Sequence, residues 1–302
     1  MPHESKLTFA FFGTSPVAVG VLNALKAEGN LPALIVTTPD APAGRKLELT
    51  PPPAKRWALE NNIPILQPQK LDSEFVYQLK TKNYQLFLVA SYGLLIPKRV
   101  LALPEHGTLN VHPSLLPKYR GPSPIQTAIL QGDRETGVCI MLMDEKMDEG
   151  PVLAQEIVPL GGTEVNEELE TKLATIGGKL LTRMIPEWIA KKITPHPQDH
   201  TQATYTRKFE KADGYIDPTL LDATKLNLGT RFNFVEVQAA ERKVRALSNT
   251  PGTYTILKTK SAKEMRVKIL SAKIEGGLLV PIKVIPEGKK EMGWEEFKRG
   301  YL

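Results

Sequence analysis

The sequence predicts an α/β protein in which a Rossmann-like, mostly parallel sheet precedes a smaller C-terminal domain of OB-like β-barrel type. In the first 190 residues, short apolar runs alternate with helical patterns, which is typical of a parallel sheet covered by helices. Later segments alternate apolar and basic residues, as half-exposed antiparallel strands do. We expect one domain at 1–190, a proline-punctuated linker at 191–208 and a basic domain at 209–302.

Each element follows from a local pattern. The first strand, 7–12, is a continuous apolar run that ends at Gly13, and Pro16 opens the first helix because the first helical turn tolerates proline. Further strands of the first domain are predicted at 31–37, 86–90, 107–112, 137–142 and 152–157, and its helices at 16–27, 53–61, 75–80, 125–131 and 164–190, the last capped by Thr163. The C-terminal domain is predicted to open with a helical pattern at 218–247 and to continue with strands at 252–259, 265–274 and 278–285.

Charge is distributed unevenly along the 302 residues. Residues 191–302 contain 21 Lys and Arg against 13 Asp and Glu, a net charge of +8, whereas the first 190 residues carry a net charge of −2. A basic region beside a nearly neutral one suggests either a surface that binds a polyanion or an ordinary solvated face. Charge alone does not separate these two interpretations.

Several kinds of protein and site are disfavoured. No apolar run is long enough to span a bilayer, and a single cysteine, Cys139, permits no internal disulfide. We therefore expect a cytoplasmic protein. Cys139 itself is predicted to be a buried strand residue. The turn after the first strand has one glycine, Gly13, where a dinucleotide fingerprint needs three. His196 and His200 have a spacing seen in zinc sites, but no cysteine or acidic cluster accompanies them, so we expect no metal.

Asn110, His112 and Asp148 are the candidate reactive residues. Asn110 and His112 lie two apart on a predicted strand, so their side chains share a face near its carboxyl end, where open α/β sheets bind ligands. An amide that polarises a carbonyl beside a proton carrier suits acyl-group transfer, and Asp148 is the candidate to orient the imidazole. The alternative is a locally hydrogen-bonded histidine beside a structural asparagine.

A longer series of motifs supports the first interpretation. In order, the chain contains Asn110-x-His112, Ser114–Pro117, Tyr119–Gly121, Pro124–Ile125, Thr136–Val138, Met143–Asp144 and Asp148-x-Gly150. This series resembles the formyltransferases that use 10-formyltetrahydrofolate. The Pro39–Arg56 segment resembles a loop that the methionyl-tRNA formyltransferase family inserts after the second strand, and Gln67-Pro68, Val89–Pro97 and Pro286–Met292 also resemble that family. The resemblance covers about residues 7–190 and is patchier beyond, where the barrel is expected to be shortened.

The resemblance implies the formyltransferase fold, formyl transfer from 10-formyltetrahydrofolate to the α-amine of initiator methionyl-tRNA, and no metal. It implies that Asn110 donates a hydrogen bond to the oxyanion and that His112 stabilises the oxyanion or moves the proton. Asp148 either holds His112 in the needed tautomer or orders a water that relays the proton. Folate contacts are expected from Tyr92, Gly93, Leu94, Ile96, Ser114, Leu115, Leu116, Pro117 and Asp144. Contacts with tRNA are expected from Arg45, Lys46, Lys55, Arg56, Arg266 and Lys268.

Two alternatives remain open at this point. An amino-sugar N-formyltransferase would use the same three catalytic residues, but it would need neither the Pro39–Arg56 segment nor a basic C-terminal domain. A non-catalytic tRNA-binding protein could use the same fold, but it would not need an intact Asn110, His112 and Asp148 set. We expect a monomer without a membrane partner.

Overall fold

The computed structural model of the chain describes residues 7–43, 47–221 and 234–302, which form two compact units. The first unit comprises the described residues up to Gly121, together with Thr136–Pro159 and Glu167–Tyr205. The second comprises Pro122–Glu135, Leu160–Asn166 and the described residues from Thr206 onward. The predicted domain boundaries stay a prediction. The segment predicted as a linker nevertheless lies within the first unit as far as Tyr205.

A seven-stranded sheet is the centre of the first unit. Its strands are β1 (Phe9–Gly13), β2 (Leu34–Val36), β5 (Ile65–Leu66), β6 (Leu86–Ala90), β7 (Thr108–His112), β8 (Glu135–Leu142) and β9 (Val152–Pro159), while β3 (Ala41–Ala43) and β4 (Glu48–Thr50) form a separate hairpin. The order is β5-β2-β1-β6-β7-β8-β9, with parallel pairing from β5 to β7 and antiparallel pairing between β7 and β8. The predicted mostly parallel sheet is therefore confirmed.

The helices largely follow the predicted ranges. They are α1 (Pro16–Ala27), α2 (Pro53–Glu60), α3 (Ser73–Lys80), α4 (Lys98–Leu101), α5 (Pro124–Gln131), α6 (Asn166–Ile189), α7 (Phe234–Leu247) and α8 (Trp294–Tyr301). Helix α1 has its predicted bounds, because Ser15 accepts a hydrogen bond from the Val17 N–H and Pro16 occupies the first turn. The predicted cap of α6 at Thr163 is wrong. The Glu164 carboxylate instead binds the N–H groups of Gly161 and Gly162, and the helix begins at Asn166.

Helix α6 shows which face of β7 can hold a site. A Cβ atom on Gly177 of α6 would lie 2.4 Å from Cγ1 of Val111, so only glycine permits this close approach of helix and strand. Val111 therefore faces α6. Because side chains alternate along a strand, Asn110 and His112 face the opposite side of the sheet.

An antiparallel sheet of four strands lies in the second unit, in the order β10-β11-β12-β13. These strands are β10 (Thr253–Lys258), β11 (Glu264–Glu275), β12 (Leu278–Pro286) and β13 (Met292–Gly293). Of the predicted helical range 218–247, residues 222–233 lie outside the described residues, and the rest forms a short 3-10 turn at Pro218–Leu221 and helix α7. The core includes Val237, Val267, Ile269 and Phe297. In the part of the chain that the structure describes, no helix is both long and apolar enough to cross a membrane.

Candidate active site

Asn110 and His112 lie on β7 as predicted. The strand is held between two neighbours, since Asn110 is paired with Val89 of β6 and His112 with Cys139 of β8. Asn110 is 9% exposed, and its side-chain amide makes no hydrogen bond to any residue that the structure describes. Because buried amides normally have hydrogen-bond partners, this one is suited to bind an oxygen of a ligand.

The contacts of His112 define which of its ring nitrogens can exchange a proton. Nε2 lies 2.9 Å from the backbone oxygen of Tyr119, and the imidazole is 4% exposed. A carbonyl oxygen can only accept a hydrogen bond, so Nε2 carries a proton in either charge state of the ring. Nδ1 is therefore the nitrogen that gains and loses a proton, and it lies 3.7 Å from Oδ2 of Asp148.

Asp148 reaches His112 by a route that the sequence does not reveal. Strand β8 runs antiparallel to β7, so the loop after it starts opposite Leu109, toward the amino-terminal end of β7. The loop returns across the sheet face and places Asp148 beside His112, at the other end of that strand. There, Asp148 has a left-handed backbone with φ of 54°, and its Oδ2 accepts a hydrogen bond from the Gly121 N–H at 2.7 Å.

The loop that follows β7 is fixed by buried polar contacts. Ser114 is fully buried and donates from Oγ to the backbone oxygen of Lys118 at 2.6 Å. The Cys139 thiol donates to the Ser114 carbonyl and accepts from the Leu116 N–H. Burial raises the pKa of the Cys139 thiol to about 11, so the predicted buried strand residue is a neutral thiol at neutral pH.

The predicted folate contacts divide into buried and accessible residues. Ile96, Ser114 and Leu116 are buried and pack within the protein, whereas Gly93 and Asp144 are exposed, and Tyr92, Leu94, Leu115 and Pro117 are partly exposed. Lys98 pairs with Glu145 at 2.6 Å, so the segment after β6 lies beside the loop that carries Asp148. Both segments include residues that are predicted to contact folate, and these contacts stay predictions.

The predicted tRNA contacts lie in three settings. Arg45 and Lys46 lie outside the described residues. Lys55 is bonded to both carboxylate oxygens of Asp40 at 2.8 Å, and Arg56 is exposed. Arg266 and Lys268 are exposed on β11, where the Arg266 guanidinium lies 3.7 Å from the ring centre of Tyr254. A tRNA contact by any of these residues remains a prediction.

Gln67 and Asp40 fix the base of the Pro39–Arg56 segment. The Gln67 amide donates to the Thr38 carbonyl at 2.9 Å and to Asp40 at 2.7 Å. The hydrogen bond from Gln67 and the contact with Lys55 lower the pKa of Asp40, which therefore stays ionised. The Gln67-Pro68 motif consequently has a structural role that the sequence alone did not assign.

Two further residues near Asp148 were missed as site residues. Arg120 belongs to a motif in the sequence, yet it was assigned no role, and Gln198 lies in the segment predicted as an exposed linker. Both are buried and bonded to each other. A fully buried arginine requires partners, but no sequence pattern indicates that Gln198 supplies one. Among the residues the structure describes, no group of three or more His, Cys, Asp or Glu side chains is arranged to hold a metal ion.

Comparisons with known proteins agree with this geometry. Residues 5–185 match the family model described as formyl transferase. In the solved structure of the N-formyltransferase from Helicobacter canadensis in complex with folinic acid and dTDP-3-aminofucose, the likeness covers 89% of each chain, with a TM-score of 0.58. At 18% identity, that likeness shows the fold alone.

Similarity in sequence extends through most of the chain. A methionyl-tRNA formyltransferase from Chloroflexus aurantiacus is 41% identical, over 87% of this chain and 80% of its own length. The methionyl-tRNA formyltransferase from Thermodesulfovibrio yellowstonii is 35% identical, over 96% of this chain and 94% of its own. With the formyl transferase match over its N-terminal region and relatives of this name along nearly its whole length, the chain belongs to the methionyl-tRNA formyltransferase family.

Proposed function

We propose that this chain transfers the formyl group of 10-formyltetrahydrofolate to the α-amine of methionine on initiator tRNA. The observation that carries the proposal is the convergence of Asn110, His112 and Asp148, of which Asp148 comes from a separate loop, on one face of β7. An amide with no hydrogen-bond partner among the described residues, beside an imidazole whose Nδ1 lies near a carboxylate, suits acyl transfer to an amine. The family relatives support the choice of substrate.

The residues have distinct roles in this reaction. The neutral α-amine attacks the formyl carbon, which forms a new C–N bond and a tetrahedral carbon with an oxyanion. The Asn110 amide donates to that oxyanion, and a donor placed where charge develops is worth about 10²–10³ in rate. Nδ1 of His112 takes the proton of the attacking nitrogen, and the Asp148 carboxylate stabilises the resulting imidazolium.

Collapse of the tetrahedral carbon completes the transfer. The bond between the formyl carbon and N10 of the folate breaks, and N10 receives the proton, so the products are formylmethionyl-tRNA and tetrahydrofolate. Because Nε2 of His112 stays bonded to the Tyr119 carbonyl, the ring keeps one orientation while Nδ1 takes up and returns the proton.

The residues around the site fit a folate. Met147, next to Asp148, is 56% exposed, and Leu95, on the adjacent segment after β6, is 78% exposed. Large apolar side chains exposed beside a polar site suit the flat faces of a pterin and its benzoyl group. Gly93 and Asp144 are exposed, and their backbone groups are proposed to hydrogen-bond the pterin edge.

The Pro39–Arg56 segment is proposed to contact the acceptor stem of the tRNA. Strands β3 and β4 make it a hairpin whose base is fixed by Asp40, Lys55 and Gln67. Leu47 and Leu49 are 71% and 70% exposed, and Arg45 and Lys46 lie between the two strands in the sequence. Exposed apolar side chains with neighbouring cations suit contact with an unpaired end of a stem.

The outer face of β10 and β11 is proposed as a second RNA surface. Tyr254 and Lys268 are paired across the two strands, as are Ile256 and Arg266. Arginine stacked on an aromatic ring, with further cations beside it, binds phosphates and bases without choosing a sequence. We further propose that the protein is a monomer and that it acts in the cytoplasm, where charged tRNA is available.

A choice of acceptors tests the proposal. The protein would be given 10-formyltetrahydrofolate with charged initiator methionyl-tRNA, charged elongator methionyl-tRNA or a dTDP-amino sugar, and formylated product would be measured. We expect formylation of the initiator tRNA and little formylation of the other two acceptors. Formylation of the sugar alone would support the amino-sugar alternative, and tRNA binding without any formyl transfer would support the non-catalytic one.

A further inference from the structure

Residues 196–205, which we call the cross-loop segment, connect the two loops that form the active site. At one end, His196 exchanges two backbone hydrogen bonds with Val152, just after the loop of Asp148. At the other end, the Thr204 carbonyl accepts from the Arg120 N–H at 2.9 Å, and the Thr204 hydroxyl accepts from the Tyr119 N–H at 2.9 Å. The segment is thus bonded both to the Asp148 loop and to the loop that follows His112.

Gln198 is the central side chain of the cross-loop segment. It is 8% exposed, and its Nε2 donates to the backbone oxygens of Asp148 at 2.8 Å and Gly150 at 2.7 Å. Its Oε1 accepts from Nε of Arg120 at 3.1 Å and from Nη2 at 2.8 Å. Both N–H groups and the carbonyl of this one amide therefore link the Asp148 loop to Arg120.

Arg120 anchors the other side of this link. Its side chain is fully buried, and besides Gln198 it contacts the Tyr205 hydroxyl at 2.9 Å, Nδ1 of His200 at 3.1 Å and a carboxylate oxygen of Glu149 at 3.7 Å. A buried guanidinium is costly unless its donors are satisfied, so the groups around it are held in place. Glu149 follows Asp148 directly, which gives the Asp148 loop a second attachment to Arg120.

The hydrogen bonds of Gln198 and Arg120 lie next to two residues with an unfavourable backbone conformation. Tyr119 and Asp148 both have positive φ, at 61° and 54°, and such residues persist when their surroundings determine the conformation. These two residues contact the two nitrogens of His112, one through a carbonyl and the other through a carboxylate. A shift of either loop would therefore change the environment of the nitrogen that moves the proton.

We propose that Gln198 and Arg120 are positioning residues that hold Asp148 against Nδ1 of His112 during formyl transfer. The proposal rests on the proposed function, since it assigns these residues to the same reaction. It predicts that loss of the Gln198 hydrogen bonds slows the chemical step without weakening either substrate's binding, because misplacement by about 1 Å can cost about a hundredfold in rate.

Two substitutions at Gln198 distinguish the hydrogen bonds that it donates from those that it accepts. Gln198→Glu keeps an acceptor for Arg120 but removes the donor to the Asp148 and Gly150 carbonyls, and Gln198→Met removes both functions at similar volume. We expect kcat to fall at least about tenfold in both, with KM for 10-formyltetrahydrofolate and methionyl-tRNA within about twofold of wild type. Gln202→Met is the matched control, because Gln202 is exposed and bonds Asp199 of the same segment.

A double-mutant cycle with Asp148→Asn separates positioning from general loosening. If Gln198 acts through Asp148, Gln198→Met should lower kcat by less than about twofold once Asp148 is already altered. An equal loss of kcat in the wild-type and Asp148→Asn proteins would overturn the inference, and so would a near-normal kcat in Gln198→Glu. If Gln198→Met does not fold, the kcat of Gln198→Glu alone tests the inference. A fully active Asp148→Asn variant would also overturn the inference, because Gln198 would then have no reactive group to position, whereas a wild-type protein without formyl transfer would contradict the proposed function.

Discussion

Two loops that follow parallel strands of the same sheet are built in opposite ways. The loop after β7 is held by buried polar side chains, with Ser114 and Arg120 fully enclosed and its backbone bonded to the cross-loop segment. The loop after β2 instead projects as the β3–β4 hairpin, where Leu47 and Leu49 are largely exposed. The base of that hairpin is fixed by Asp40, Lys55 and Gln67.

The difference reflects what each loop has to do. Acid–base chemistry needs groups at fixed distances, and buried hydrogen bonds provide that, because breaking one exposes an unpaired polar group to an apolar environment. Recognition of a large substrate needs accessible side chains on an element that leaves the core undisturbed. Changes in the first loop should therefore affect the rate of reaction, and changes in the second should affect substrate use.

The largest effects are expected at the reactive residues. Asn110→Ala, His112→Ala and Asp148→Ala should each lower kcat at least about a hundredfold while the protein stays folded, since each removes an oxyanion donor or a proton-transfer group. Steady-state formylation and thermal unfolding measure the two quantities. His106→Ala, just before the amino-terminal end of β7, is the control and should retain activity. Near-normal turnover of Asn110→Ala or His112→Ala would remove this mechanism.

A smaller effect is expected in the hairpin. Arg45→Ala combined with Lys46→Ala should lower kcat/KM for initiator methionyl-tRNA about tenfold, because two phosphate contacts are lost, and should leave the folate KM unchanged. Discrimination between initiator and elongator methionyl-tRNA should also shrink. Lys80→Ala with Lys82→Ala removes the same charge from another exposed site. Equal losses in both double variants would mean that net charge, and not the hairpin, guides the tRNA.

The β10–β11 face should contribute affinity rather than selectivity. Arg266→Gln with Lys268→Gln should weaken tRNA binding and reduce the slope of log affinity against log salt by about 1 to 2, since two phosphate contacts release fewer counterions. Binding titrations at several salt concentrations measure this slope. Lys289→Gln with Lys290→Gln, an exposed pair in the same unit, should leave it nearly unchanged. Truncation of the chain near residue 191 is unsuitable for this test, because it would also remove Gln198 from the first unit.

The smallest effect concerns Cys139. Its thiol should react with iodoacetamide only on unfolding at neutral pH, because burial raises its pKa to about 11 and the nucleophile is the thiolate. A raised folded-state pKa means that ionisation favours the unfolded chain. The contribution of the thiol to stability should therefore decline as the pH rises from the ordinary pKa of a cysteine, 9.0, toward the folded-state pKa of about 11. Rapid labelling of the native protein at pH 7 would contradict the buried placement.

The sequence predicted elements well where local patterns determine structure. The bounds of α1 and β6 agree with the predicted ranges, because a capped helix with Pro16 and a continuous apolar run such as 86–90 are local signals. Helix α8 was missed. Its apolar face consists of Trp294, Phe297 and Tyr301 in an eight-residue segment, which is too short for a clear period and is stabilised by ring stacking and packing on the sheet.

The site was predictable only in part, for a physical reason. Asn110 and His112 share a strand face, which sequence spacing determines, but the approach of Asp148 depends on an antiparallel strand and a returning loop. Gln198 was assigned to an exposed linker because its neighbours are polar and include prolines. Its burial comes from hydrogen bonds to distant backbone groups, and such bonds leave no period or motif in the sequence.

Single-turnover formylation at increasing methionyl-tRNA concentration tests the separation of chemistry from recognition most directly. Rapid-quench measurements on wild type, Asn110→Ala and the Arg45→Ala, Lys46→Ala double variant would give a saturating rate and a half-saturating concentration for each. We predict that Asn110→Ala lowers the saturating rate at least about a hundredfold at an unchanged half-saturating concentration, and that the hairpin variant raises that concentration while keeping its saturating rate within about threefold of wild type. A hairpin variant with a hundredfold lower saturating rate, or an Asn110→Ala variant changed only in half-saturation, would contradict the account.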